Sequence, residues 1–334
     1  MAQPRQAIET VISDFRRLHD SRKQVVVALS GGVDSAAMLF CLSRIKADLQ
    51  PVFVYHGIRS AEEENKSHDA ALEACRRCDL FNMATWYEPK SRLTNCSTEA
   101  EAREVRYQSL AISAGENGTI ATAHHADDQL ETLLMRLCRG SGITGLAAIP
   151  PSSRIPVETK INCKVIRPML RISKADCIEI CECNDIPWHE DVTNSDMTIT
   201  RNRLRHDVLP VLKELYPQCS LHASEAAFKL RDISRIIDSR VAWLKAKETT
   251  YDSGIMIEAS FLREESDSVQ AAYFRDVAKR LNKNMRMDRI NTQLTHQLMT
   301  AIRQKDKKSF DWPRMKVETT IGTVSFTSAS GIKN

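Results

Sequence analysis

The chain has 334 residues, with 47 Lys+Arg against 43 Asp+Glu and a formal net charge of +4. Hydrophobic residues at 42% and charged residues at 27% are ordinary for a folded globular protein, which excludes extended disorder, collagen-like repeats and small disulfide scaffolds. The charge is uneven: residues 1–212 carry 26 basic and 28 acidic side chains, and residues 213–334 carry 21 and 15, so the basic excess lies in the last third. Ten cysteines without a ladder of spacings suit a reducing cytosol, so a cytoplasmic location is expected. The first fifteen residues lack the apolar stretch of a signal peptide. No apolar run reaches the ~18–20 residues of a membrane span, so no membrane partner is expected.

The helical spacing of Ala7, Ile8, Val11, Ile12, Phe15 and Leu18 predicts a first helix. QVVVAL (24–29) reads as a short buried strand, followed by a glycine pair and the helix AAMLFCLSRI. PVFVYH (51–56) is a second strand, and residues 61–78 form a charged helix. TIATAHH (119–125) reads as a strand entering the helix ADDQLETLLMRLCR, which the Gly- and Pro-rich stretch 140–151 ends. A strand pair with loops is expected over 152–170 and a short helix over 173–184. RNRLRHDVLPVLKEL (201–215) resumes helical character, with a break at Pro210. Long helices follow at 220–250 and 267–281, and the tail near 310–327 is β-rich. Strands alternating with helices imply βαβ units. The expected fold is α/β, a doubly wound parallel sheet of about five strands, with a second, mainly helical C-terminal domain. The boundary falls near 212–218, giving domains 1–215 and 216–334.

The strongest local signal is Ser30-Gly31-Gly32-Val33-Asp34-Ser35, directly after a strand and opening a helix. Two glycines allow a sharp turn and a close approach to a ligand. Successive N–H groups in such a turn form an anion nest, and the helix start adds its dipole. Ser30 and Ser35 supply hydroxyls for phosphate oxygens. Asp34 cannot bind phosphate itself, so it is expected to hold Mg²⁺ or to orient the loop. The loop is neither a Walker A motif nor GxGxxG. A plain strand–turn–helix with an Asp-Ser cap is the structural alternative, and six matched positions in this context weigh against it.

This segment resembles the SGGxDS pyrophosphate loop of the N-type ATP pyrophosphatases of the PP-loop superfamily. Further segments narrow the resemblance: His56-Gly57-Ile58-Arg59, Glu101 to Tyr107, Thr122 to Thr132 (TAHHADDQLET), Arg139 to Gly142, Arg167-Pro168-Met169-Leu170, Glu190 to Asn194, and Arg201-Asn202-Arg203-Leu204-Arg205. Together they resemble the tRNA(Ile)-lysidine synthetases over residues 23 to about 217, and beyond that only as a helical domain. The resemblance implies an adenine nucleotide alpha hydrolase-like fold, ATP and Mg²⁺ as cofactors, and free L-lysine and tRNA(Ile) with a CAU anticodon as substrates. ATP would adenylate C2 of the wobble cytidine. The lysine ε-amine would then displace AMP to form lysidine, switching decoding from AUG to AUA. It leaves a homodimer open. Two departures stand out: Tyr55 precedes His56 where many members have Asp, and Thr193 replaces Ser in the EDxSN pattern. Longer members carry a further C-terminal domain, so a short form with reduced acceptor-end contacts is expected.

The residues read bottom-up agree with that chemistry. His124, Asp128 and Glu131 fall on one helical face if the helix starts early enough, at the edge where open α/β sheets bind ligands. Two carboxylates suit a lysine ammonium and can take its proton; capping acids on a solvated face are the structural alternative. Arg103 and Arg106 lie i, i+3 with Glu99 before them. Surface pairing explains such a pattern, and a clamp on phosphate or on an adenylated intermediate is the functional reading, adopted for Arg103. Arg201 and Arg205 can contact the tRNA backbone or the α-phosphate side of ATP. His56 and Arg59, after the second strand, suit the adenosine pocket.

The rival readings are a PP-loop tRNA thiolase, which would need a persulfide-bearing cysteine, and a non-catalytic nucleotide-regulated tRNA-binding protein, which would lose an acid or arginine. The lone Cys75–Cys78 pair reads as ordinary cysteines, and Cys177, Cys181, Cys183 and His189 match no common zinc spacing. Arg303, Lys305, Lys307 and Lys308 form the densest late basic run. Within a net-positive domain the run adds phosphate attraction.

Overall fold

Val25, Val27 and Leu29 point to one side of a strand and Val26 to the other, and both sides are buried. A strand covered on both faces belongs in the middle of a parallel sheet with helices on each side. The computed structural model has that arrangement. It describes residues 4–55, 57, 60–87, 96, 98–190, 200–252, 254–281, 292–312 and 314–328.

In chain order the first elements are α1 (Arg5–Leu18), β1 (Val25–Leu29), α2 (Val33–Ser43), β2 (Leu49–Val54), α3 (Ala61–Arg77), β3 (Thr85–Tyr87), α4 (Glu99–Ala114) and β4 (Thr119–Ala121). Then come α5 (Ala126–Cys138), α6 (Ile143–Leu146), β5 (Ser152–Arg154), β6 (Lys164–Ile166), α7 (Lys174–Cys183), α8 (Thr200–Arg203), a π-helical turn (Leu204–Val208) and α9 (Leu209–Leu215). The remainder is α10 (Cys219–Lys245), β7 (Thr249–Tyr251), β8 (Gly254–Glu258), α11 (Ala259–Arg263), α12 (Asp267–Leu281), α13 (Thr292–Gln304), β9 (Lys308–Trp312), β10 (Met315–Thr319) and β11 (Thr323–Ser328). The chain divides into two compact units, Met1–Leu230 and Arg231–Asn334.

The first unit holds a six-stranded sheet in the order β3-β2-β1-β4-β6-β5. Five strands are parallel, and β5 runs antiparallel to β6 at one edge. Val25, Val27 and Leu29 pack with α1, α2, α3 and α7 on one face, and Val26, Val52, Ile120 and Val165 pack with Tyr107 and Leu110 of α4 on the other. Local chemistry sets the helix starts. Ser60 accepts the N–H of Glu63 at α3, and capping boxes pair Thr98 with Glu101 at α4 and Ser173 with Asp176 at α7. Pro210 falls in the first turn of α9, where a missing N–H costs nothing, and the π turn precedes it. The expected break thus lies in the backbone just before the proline.

Strand order reverses between β1 and β4, which pair directly through Val26–Ile120 and Val27–Ala121. A crevice opens beyond the carboxyl ends of strands at such a reversal. The Ser30–Ser35 loop leaves β1 there, and the His124–His125 connection leaves β4 beside it.

The second unit pairs its helices with an antiparallel sheet in the order β7-β8-β11-β10-β9. Tyr273, Phe274, Trp312 and Phe326 form its aromatic core, with ring centroids 5.9–6.1 Å apart. The β-rich tail is therefore part of a five-stranded sheet that begins with the β7–β8 hairpin. Among the described residues no helix is long and apolar enough to cross a membrane.

Candidate active site

Gly31 has φ +79°, and a Cβ there would sit 2.1 Å from the carbonyl oxygen of Ser67 on α3. Only glycine fits that position. The Gly31 carbonyl accepts the backbone N–H of His189 at 2.8 Å, and the His189 ring meets Glu63 of α3 at 2.9 Å. Inside the loop the Ser35 hydroxyl donates to the Gly32 carbonyl at 2.9 Å and accepts the Ser30 N–H at 3.2 Å. The Ser30 and Ser35 hydroxyls lie 3.2 Å apart. Val33 opens α2 with Gly32 at the cap, so free N–H groups and two hydroxyls converge on one turn.

Asp34, in the first turn of α2, receives the Lys174 ammonium on its two oxygens at 2.8 and 2.9 Å, and His125 stands 3.5 Å away. Burial alone would raise its carboxyl pKa, but His125 and Lys174 hold it below the usual range.

The two histidines after β4 have opposite fates. Burial, with Arg167, Arg201 and Arg103 nearby, holds His124 neutral down to about 3, against the pull of Asp128. Its Nδ1 is 3.0 Å from the Thr122 hydroxyl. His125 is buried, 5% exposed, but Asp128 and Asp34 overcome the burial cost and raise it to about 9. Its ring lies 3.7 Å from Asp128, so one imidazolium stands between Asp34 and Asp128.

The α5 helix starts at Ala126 with His125 as its cap, so His124 lies on the strand-to-helix connection and not on the helical face. Asp128 accepts the His125 backbone N–H at 3.0 Å. Asp128 and Glu131 are almost fully buried one turn apart. Arg201 reaches both, at 2.6 and 2.5 Å, and so does Arg205, at 3.0 and 2.5 Å. Burial opposes the Asp128 charge, but His125, His124 and the two arginines drive its pKa well below the carboxylate range. Burial likewise opposes the Arg205 charge, and Glu131 raises its pKa regardless.

Four expected residues therefore meet directly: Asp128, Glu131, Arg201 and Arg205. Asp34 joins them through His125. Arg103 lies on α4 with its guanidinium 5.0 Å from the centre of the Tyr107 ring, close enough to act on His124. His56 and Arg59, with Asp191 to Asn194, lie outside the described residues. His125, Asp127, Lys174 and Lys213 join the site without a sequence signal of their own. Asp127 accepts the Lys174 backbone N–H at 3.0 Å and the Lys213 ammonium at 3.1 Å. The acids Asp34, Asp127, Asp128 and Glu131 thus face the cations His125, Lys174, Arg201, Arg205 and Lys213. This set, five cations to four acids, is charge-compensated with a slight positive excess, which suits a phosphate-bearing ligand.

Asp34 is the carboxylate beside the loop, and Lys174 already holds it. Among the described residues no group of three or more His, Cys, Asp or Glu could hold a metal ion. Cys177 and Cys181 are buried in the core, Cys183 is exposed and His189 pairs with Glu63. Cys75 and Cys78 are buried in the same core.

The sequence profile of the PP-loop domain family matches residues 4–212, more than half of the chain. The chain belongs to that family. The Ser30–Ser35 turn lies within the matched residues. Among curated relatives, the tRNA(Ile)-lysidine synthase of Pseudomonas aeruginosa is 32% identical over 222 residues, covering 63% of this chain and 48% of the relative. That of Hydrogenovibrio crunogenus is 30% identical over 250 residues, covering 74% and 58%. The chain thus spans about half the length of the curated relatives it matches. Among solved structures, a U34-tRNA thiolase from Methanococcus maripaludis superposes with a TM-score of 0.52 at 17% identity, over 68% of this chain and 78% of that one. That likeness concerns the PP-loop fold alone.

Proposed function

We propose that this chain catalyses ATP-dependent attachment of lysine to C2 of the wobble cytidine of tRNA(Ile) with a CAU anticodon, forming lysidine and releasing AMP and pyrophosphate. The observation that carries the reading is the buried Asp128–Glu131 pair beside the PP-loop, held by two arginines. The similarity to tRNA(Ile)-lysidine synthases supports it. In this reading the loop N–H groups and the Ser30 and Ser35 hydroxyls bind the pyrophosphate part of ATP, and His56 and Arg59 border the adenosine. Arg103 adds fixed charge where the cytidine oxygen is adenylated. His124, being neutral, offers a hydrogen bond there.

Asp128 and Glu131 receive the ε-ammonium of lysine and accept its proton. With Arg201 and Arg205 seated on it, Asp128 is a weak base. Departure of an arginine towards a phosphate raises its basicity and frees its oxygens together. ATP would bring Mg²⁺ on its phosphates, with Asp34 as candidate ligand only after Lys174 yields. The cysteines that feel Asp34, Cys177 and Cys181, have thiols pushed up by burial, the latter to about 12, which suits a sulfur carrier poorly.

The test incubates protein with ATP, Mg²⁺, labelled lysine and a tRNA(Ile) CAU transcript. Lysine-dependent AMP release with label entering tRNA is expected, and its absence with folded protein sinks the proposal. Asp128→Asn should abolish lysine transfer while ATP binding survives; loss of ATP binding would remove Asp128 from the lysine role.

A further inference from the structure

Asp127 is as buried as its catalytic neighbour, 3% exposed, yet it points away from Asp128 to serve other elements. One oxygen accepts the backbone N–H of Lys174 at 3.0 Å and the ammonium of Lys213 at 3.1 Å. The other oxygen is buried with no geometrically sound hydrogen bond, and the Ser220 hydroxyl of α10 lies against the carboxyl. The start of α7 and the successive helices α9 and α10 thus converge on one carboxylate.

Each piece bears on the site. Lys174 is the first residue of α7, so its N–H is one of the donors a helix start leaves open, and a carboxylate there also meets the helix dipole. The Ala126 N–H donates to the Ile172 carbonyl at 2.8 Å, so the starts of α5 and α7 are joined twice. The same Lys174 sends its ammonium to Asp34 of the PP-loop. Lys213 lies on α9, directly after the short helix and π turn that carry Arg201 and Arg205 onto Asp128 and Glu131.

We propose that Asp127 is a positioning residue that aligns the nucleotide side of the site, through Lys174 and Asp34, with the acid side, through Lys213 and the arginine-bearing turn. This rests on the lysidine reading for the reaction it tunes. A carboxylate tied to both sides keeps them in register while Arg201 and Arg205 change partners. Misplacement of reacting groups by about 1 Å costs on the order of 100-fold in rate, so the loss should appear in turnover before it appears in ATP affinity.

The experiment compares wild type, Asp127→Asn, Lys213→Met, the double variant and a core control, Val11→Ala, below their melting temperatures. Expected for Asp127→Asn is a fall in kcat of tenfold or more with KM for ATP within about threefold. Lys213→Met should fall in the same direction, and the double variant should be no worse than Asp127→Asn. Competitive acetylation should label the Lys174 amine several-fold faster in Asp127→Asn than in wild type or Val11→Ala. A kcat within twofold of wild type, or a loss that Val11→Ala reproduces, overturns the inference. If wild type itself transfers no lysine, the lysidine reading falls, and acetylation alone decides for Asp127: unchanged Lys174 labelling overturns it.

Discussion

His124 and His125 are adjacent in the chain and differ in which charges face them. The His125 imidazolium touches Asp34 and Asp128, whereas His124 feels Arg167, Arg201 and Arg103. His125 has a folded pKa of about 9, above its unfolded value of about 6.5, so its contribution to stability is complete below pH 6.5 and fades as pH rises through 9. His124 is depressed to about 3, so its contribution is complete above pH 6.5 and fades as pH falls towards 3. A ¹⁵N NMR titration should find His125 doubly protonated and His124 neutral at pH 7. Both rings titrating together near 6.5 would contradict this. Glu131, 1% exposed at its side chain, faces two guanidiniums that are partly exposed. Glu131→Gln should cost roughly 2 kcal/mol, less than the ~3–5 of a fully buried pair because water screens the arginines. Urea unfolding checks this, and a change below 0.5 kcal/mol (about the scatter of surface substitutions) would refute the pairing.

At the scale of elements, the PP-loop is held from outside by α3. Gly31→Ala would place a methyl group into the Ser67 carbonyl in a backbone conformation that alanine avoids. It should lower stability by at least ~2 kcal/mol and abolish ATP binding by calorimetry, and an alanine variant that binds ATP normally would show that the loop has another shape. The loop was legible in the sequence because its chemistry is local: strand, glycines, hydroxyls and helix start are contiguous. So was the Asp128–Glu131 spacing. Lys174 was not, since it meets Asp34 from 140 residues away with no periodic signal. His125 and Asp127 sat inside a recognised motif, but their roles depend on what α2, α7 and α9 bring to them. The start of α5 at Ala126 likewise depends on His125 acting as the cap, which periodicity alone does not fix. The β7–β8 hairpin escaped notice because TTYDSGIMIE is short and its partner strand β11 lies some 70 residues on.

For the molecule as a whole, the charge asymmetry read from the sequence coincides with the division into two units. Residues 231–334 carry 19 basic and 13 acidic side chains, so the second unit holds the excess of +6. Part of the late basic run is neutralised: Arg303 pairs with Asp267, and Lys308 with Asp306 at 2.9 Å. Lys305 and Lys307 are exposed beside them. If these meet tRNA phosphates, replacing both by Gln should weaken binding for every tRNA alike and lower the slope of log K against log[salt] by roughly 1–2. An unchanged slope would place the tRNA elsewhere.

The central strand β1 is paired on both edges and covered on both faces. Its amides should be among the last to exchange with deuterium, and the PP-loop is rooted in them. Arg201 and Arg205 instead ride on a short helix and a π turn. Heating should therefore release the arginine-bearing segment first, and in the lysidine reading this leaves a protein that still binds ATP after it has lost the ability to use lysine.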